Sequence, residues 1–377
     1  MFRNPGSVHG GITPVIKNLA EEFTHRGFLI HLLTFTHSDA GHKCDPFEMI
    51  SVGKGTKVIN VMRLWHYLRR QQPDVLLTAG QRANLVAAWT KILPGIKTPV
   101  WGSLHNTESK VQSGKNWIRQ LRKRYVMRFS YKLLDGIIAV SDGVADDFVT
   151  YANIPRELIK VVYNPLIGEY IHKKAKEFPN HPWFASEKKL PIVLGIGRLT
   201  EQKDFPTLIK AFALVHRKVP CRLIILGEGK KRKELEDLVS SMGMTDCVDL
   251  PGFVENPFSY MSRASLFVLS SAWEGFGNVL VESLALALPV VSTDCPHGPR
   301  EILEDGKYGS LIPPGNAPAL AKAILHTLEN PPQKEFLMKA VERFRIEACA
   351  ETYLQLFGLN MEKKDTHISK YHARDLI

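Results

Sequence analysis

The chain has 377 residues, 44% of them hydrophobic and 23% charged, with a net charge of +11. That is the composition of a globular protein of two ordinary domains or one oversized one. No apolar run approaches the roughly 20 residues of a spanning helix, and no 20–50-residue repeat marks a solenoid.

The positive balance calls for an anionic partner: a nucleotide, a membrane surface or a nucleic acid. The cysteines (Cys44, Cys221, Cys247, Cys295, Cys349) are odd in number and without a CxxC pair. They point to a reducing compartment and away from structural zinc. The opening Met1-Phe2-Arg3-Asn4-Pro5-Gly6 has neither the charged region nor the apolar core of a secretory signal.

Val8-His9-Gly10-Gly11-Ile12 leads into a helix over about 13–26, ended by Gly27. Strands are expected over 28–35, 47–52, 74–79, 98–104, 136–140 and 159–163, alternating with helices over 57–71, 82–91, 115–134 and 143–151. This alternation implies a parallel, doubly wound α/β sheet spanning residues 1–165. A glycine-rich loop normally follows a first strand, yet only nine residues precede Gly10–Gly11, and Phe2 to Gly6 is a poor strand. The first domain is therefore expected to lack its first strand, with unpaired edges left behind.

Residues 166–189 show no periodicity, contain Pro179 and His181-Pro182, and read as a linker. Alternation restarts in a second domain over 190–343, with strands at 191–195, 221–226, 266–269 and 289–292. A last helix over 344–358 is expected to pack back on the first domain, and 359–377 forms a polar tail.

Two constellations sit at strand ends, where open α/β sheets bind ligands. The first is Gly195-Ile196-Gly197-Arg198-Leu199-Thr200-Glu201-Gln202-Lys203. Thr200 stands where a dinucleotide fingerprint needs glycine, and no Walker lysine follows. Its guanidinium and ammonium, five residues apart, suit a diphosphate, or else are two solvated cations. The second is Trp273-Glu274-Gly275-Phe276-Gly277-Asn278-Val279-Leu280-Val281-Glu282, a strand–turn–helix passage with carboxylates eight residues apart. Gly275 and Gly277 allow close backbone approach, and the first helical turn favours an anion. Glu282 could accept from a vicinal diol such as ribose. The alternative is a surface Glu plus a helix Glu in an ion pair.

GRLTEQKDF, LGEG, GFV and SSAWEGFGNVLVESLALALPVV, in that order, resemble the retaining glycosyltransferases of family four, of GT-B architecture. HGGITPVIKNLAEEFTHRG resembles that family's first loop and helix, VVYNP resembles its domain crossing, and DCPHGPREIL is closest to members building bacterial lipid-linked glycans and cell-surface polysaccharides. The resemblance implies two Rossmann-like domains facing a cleft and transfer of a hexose or N-acetylhexosamine from a nucleotide sugar, UDP by family habit.

It further implies that Arg198 and Lys203 hold the diphosphate, Glu282 the ribose, and Glu274 the sugar. The amides of Phe276 to Leu280 would surround sugar and phosphate. Gly197 belongs to the donor turn, Phe253 and Val254 border the base, and Gly11 lies against the phosphates. His105, otherwise an ordinary structural histidine, lies near the sugar. No D-x-D pair occurs, so no metal is expected, and no cofactor. Related readings are a sugar-nucleotide epimerase or a phosphorylase; an inactive carrier or a basic-helix binding protein is the reading of another class.

Lys115, Arg119, Arg122, Lys123, Arg124 and Arg128 lie in a stretch with no acidic residue, and Trp117, Leu121, Tyr125 and Phe129 recur at i+4. This reads as a helix docking on anionic membrane, or as an ordinary helix packed by its aromatic face. Nucleic acid is disfavoured, since the charge is confined to one helix. Together with the family's lipid acceptors, this places the protein in the cytoplasm, peripheral on the inner membrane.

Overall fold

The computed structural model describes residues 2–3, 11–34, 43–44, 47–51, 55–112, 117–187 and 189–359. The first sheet comprises β1 (Phe2–Arg3), β2 (His31–Thr34), β3 (Lys43–Cys44), β4 (Phe47–Ser51), β5 (Leu76–Ala79), β6 (Val100–Leu104), β7 (Gly136–Ala139) and β8 (Ile159–Val161). Their spatial order is 3-4-2-1-5-6-7-8, and among the described residues only the β3–β4 pair is antiparallel. The second sheet comprises β9 (Ile192–Ile196), β10 (Arg222–Leu226), β11 (Val248–Gly252), β12 (Leu266–Leu269), β13 (Val290–Thr293) and β14 (Ser310–Ile312), in the order 11-10-9-12-13-14. All its pairs are parallel.

The expected gap at the centre of the first sheet is filled. Phe2 pairs with Leu33 and Thr78, and Arg3 with Thr34 and Ala79. Two residues suffice because ladders on both sides hold them; strand propensity there is decided by the partners. Strand β11, unexpected from sequence, contains Pro251 and lies on a sheet edge, the place where a strand tolerates a missing N–H. The other edge strand, the three-residue β14, was likewise not expected from the sequence.

The stretch read as linker is partly helical, at Glu169–Ala175 and Pro182–Ala185. Ile171 is buried, and Tyr170 meets Phe258 edge-on at 5.9 Å. Arg263 donates to the carbonyls of Ala175 and Glu177 at 3.0 and 2.8 Å, satisfying a helix end that periodicity cannot reveal. The last helix, Ile346–Phe357, lies on the first domain's Ile12–His25: Tyr353 and Leu354 pack with Leu19 and Phe23, and Phe357 meets Trp101 at 5.6 Å. Residues 360–377, expected to be a polar tail, lie outside the described residues.

Candidate active site

Strand β12 ends at Leu269, and its chain turns through Ser270–Gly277 into the helix Asn278–Ala285. Gly277 takes φ +106°, which only glycine adopts cheaply. Glu274 is 6% exposed; its Oε1 accepts from Lys203 Nζ at 2.5 Å and from Ser271 Oγ at 2.6 Å. Lys203 arrives from the loop after β9. Three bonds stitch the two loops together: Gln202 Nε2 to the Trp273 carbonyl at 3.0 Å, the Ala272 N–H to the Gln202 carbonyl at 2.8 Å, and Ser270 Oγ to the Lys203 carbonyl at 2.8 Å. The Lys203 stem lies so close over Gly197 that a Cβ there would stand 2.8 Å from Lys203 Cε. A Cβ on Gly227 would in turn stand 2.0 Å from the Gly197 carbonyl oxygen, which explains the glycine of the LGEG turn.

Arg198 is exposed on the same loop, and its guanidinium has no partner among the described residues. Glu282 sits in the second turn of the helix. Burial pushes its carboxyl up to about 7, against the opposing pull of Lys203. Its carboxylate also has no hydrogen-bond partner among the described residues. A paired cation and an unbonded carboxylate thus lie at one turn, with a second cation exposed on the adjoining loop, and the Asn278 and Val279 N–H groups have no acceptor among the described residues either. Such an arrangement can take a diphosphate beside a hydroxyl-bearing group.

The first domain closes over this turn. Gly275 presses on the strand end after β6, where an added Cβ would lie 2.1 Å from the His105 carbonyl oxygen. Thr107 Oγ1 donates to the Glu274 carbonyl at 2.6 Å, and Ser141 Oγ to the Gly275 carbonyl at 3.1 Å. Asn278 bridges the domains: its Nδ2 donates to the Gly11 carbonyl at 3.0 Å, and its Oδ1 accepts from Asn164 at 2.8 Å. The His105 ring pairs with Ser103 Oγ at 2.8 Å, and burial lowers its pKa to about 4, so the imidazole is neutral. Ser271, Thr107 and Ser141 escape sequence reading because a lone hydroxyl carries no pattern.

Several expected site residues sit otherwise. The Leu280 N–H is bonded to the Gly277 carbonyl at 2.8 Å and its side chain is fully buried, so its amide is not free for a ligand. The Phe276 ring is buried against Tyr163 and Phe344, at 5.7 and 5.5 Å, leaving only its backbone to the site. Val254 is half-buried and packs on the main core, whereas Phe253 is 56% exposed.

On the basic helix, Trp117–Tyr131, Lys123 is paired with Glu108 at 3.0 Å, and Arg124 donates to the Tyr151 carbonyl at 2.8 Å. Both are tied into the fold rather than offered to a surface, and Arg128 is half-buried. Arg119 and Arg122 are exposed and without partner among the described residues; Lys115 lies outside them. The aromatic face points outward, with Trp117 71% and Phe129 66% exposed, and Met127 and Tyr131 provide the packed side.

The two facing sheets and the cleft between them define a GT-B glycosyltransferase fold. Solved structures align over nearly the whole chain: the lipopolysaccharide outer core galactosyltransferase WaaB in its apo form at a TM-score of 0.72 and 20% identity, covering 95% of this chain and 98% of that one. Anabaena HepE in complex with UDP aligns at a TM-score of 0.76 and 20% identity, with the same coverage. The family models "Glycosyltransferase Family 4" and "Glycosyl transferases group 1" match residues 9–166 and 178–344, and the chain belongs to this glycosyltransferase family.

Among its relatives is the N-acetylgalactosamine-N,N'-diacetylbacillosaminyl-diphospho-undecaprenol 4-alpha-N-acetylgalactosaminyltransferase of Campylobacter jejuni, 33% identical over 59% of this chain. The match spans 59% of that relative's own length. The lipopolysaccharide core biosynthesis glycosyltransferase LpsE of Rhizobium meliloti is 29% identical over 80% of this chain and 81% of its own length.

Proposed function

We propose that the protein transfers a hexose or N-acetylhexosamine, with retention, from a UDP-sugar to a lipid-linked or polysaccharide acceptor, without a metal ion. One observation carries this reading: Lys203 pairs with Glu274 beside Glu282 at the open start of the helix Asn278–Ala285, and Arg198 lies exposed on the loop that carries Lys203. In this reading Arg198 and the helix N–H groups take the diphosphate, and Glu282 accepts from the ribose hydroxyls. Lys203 stands between diphosphate and Glu274, which faces the sugar. As the bond to the sugar breaks, the leaving diphosphate gains charge, and Lys203, Arg198 and aligned peptide dipoles stabilise it. The acceptor oxygen bonds to the anomeric carbon on the same face, and its proton passes to that diphosphate. Gly11, Phe253, Val254 and His105 complete the donor surroundings.

The lipid-linked acceptor is favoured by the relatives' names and by the outward apolar face of the basic helix. That face would seat on an anionic bilayer, with Arg119 and Arg122 contributing about 1 kcal/mol each. A thermal-shift panel of UDP-, GDP- and ADP-sugars, followed by transfer to a polyprenyl-diphosphate glycan with and without EDTA, tests the reading. Activity lost in EDTA and restored by Mg2+ would remove the metal-free mechanism. Inverted product stereochemistry would remove same-face transfer.

A further inference from the structure

Away from the donor turn, a carboxylate crosses the cleft. Glu301 lies on the short helix Pro299–Ile302 of the second domain. Its Oε1 accepts from the Gly143 N–H at 2.9 Å and its Oε2 from the Asp142 N–H at 3.1 Å. Those amides open the first-domain helix Asp142–Ala152 and have no acceptor within it. The next N–H, of Val144, is taken by Ser141 Oγ at 3.1 Å. The helix start is thus satisfied half by its own cap and half by the other domain.

The surroundings fix this contact from both sides. Gly143 has no room for a side chain: a Cβ would stand 2.4 Å from the His297 ring. Arg343 donates to the Glu301 carbonyl while its guanidinium covers the Tyr163 and Phe344 rings at 5.3 and 4.9 Å. Gly298, just ahead of the Glu301 helix, is pressed on the Phe276 carbonyl, where a Cβ would stand 1.9 Å away. The Glu301 helix is therefore rigidly coupled to the donor turn on one side and bonded to the acceptor-side domain on the other.

We propose that Glu301 is a positioning residue, an interdomain catch whose two-pronged bond to Asp142 and Gly143 holds the domains closed in register over the donor turn. It touches neither of the carboxylates nor the cations of the site. Opening the cleft exposes the two amides to water, so their hydrogen exchange reports the catch directly. Glutamine keeps the volume of Glu301 but turns an NH2 toward one of the two N–H groups, which breaks one prong and sets donor against donor.

The test is hydrogen exchange of the amides of Asp142 and Gly143 in the full chain, first without any ligand. Glu301→Gln and Glu301→Ala should exchange there roughly ten- to a hundredfold faster than wild type, the worth of a hydrogen bond to a charged group. Amides of β9 and β10 should be unchanged. Equal exchange in wild type and Glu301→Gln overturns the catch, and the glutamine variant serves if the alanine variant does not fold. Adding UDP rests on the proposed donor: it should slow these two amides further in wild type and not in Glu301→Gln. A ligand-free difference with no UDP response upholds the catch and counts against the donor reading alone.

Discussion

Removing Lys203 tests how the proposed donor site is held before any ligand arrives. Its side chain is 14% exposed and that of Glu274 8%, so neither charge is screened by water. Lys203→Ala leaves the Glu274 carboxylate with Ser271 Oγ as its hydrogen-bond donor. Breaking a buried pair by deleting one partner costs about 3–5 kcal/mol. For a domain of this size that is a fall of roughly 6–20 °C in the melting temperature of the second domain. Lys203→Ala combined with Glu274→Gln should recover part of the loss, because the amide is neutral and its oxygen still accepts from Ser271. The coupling between the two positions should lie near 1–3 kcal/mol. Calorimetry of wild type, both single variants and the double variant measures it. Strictly additive losses, or an unchanged melting temperature in Lys203→Ala, would refute the picture of a buried, mutually dependent pair.

Arg198→Ala should behave oppositely: stability within about 0.5 kcal/mol of wild type, with kcat reduced roughly ten- to a thousandfold. Activity and melting curves on one preparation check both. Glu282, whose folded pKa of about 7 lies above its ordinary 4.5, costs stability once ionised. That cost is absent below pH 4.5 and complete above pH 7, so Glu282→Gln should raise the melting temperature at alkaline pH, by the equivalent of about 3 kcal/mol, and not near pH 4. Nucleotide affinity should fall in the same variant.

His105 has the reverse sign. Its folded pKa, about 4, lies below the ordinary 6.5, so the unfolded chain takes up the proton first. Its contribution is intact above pH 6.5 and lost as pH falls toward 4; in His105→Gln the acid-side slope should flatten. On vesicles, Arg119→Glu with Arg122→Glu should weaken binding to anionic lipid at least about thirtyfold. Equal binding of wild type to neutral and anionic vesicles would defeat the electrostatic part of docking.

The α/β alternation was legible because buried parallel strands such as Leu266–Leu269 and amphipathic helices such as Lys57–Gln71 write their periods into the chain. The placement of Glu274 and Glu282 on a strand–turn–helix passage, and of Arg198 and Lys203 on the loop after another strand of the same sheet, was legible too. Tertiary structure alone decided what each group does before a ligand arrives. Lys203 is committed to Glu274, because the loops after β9 and β12 are stitched side by side across 71 residues of sequence, and Arg198 has no partner among the described residues. It also seated β1 between β2 and β5, turned the aromatic face of the basic helix outward, and set Glu301 on the amides of Asp142 and Gly143. Each of these outcomes depends on a partner distant in the chain. Local pattern records the period of an element and the chemistry of a motif, but not which distant surface a side chain finally meets.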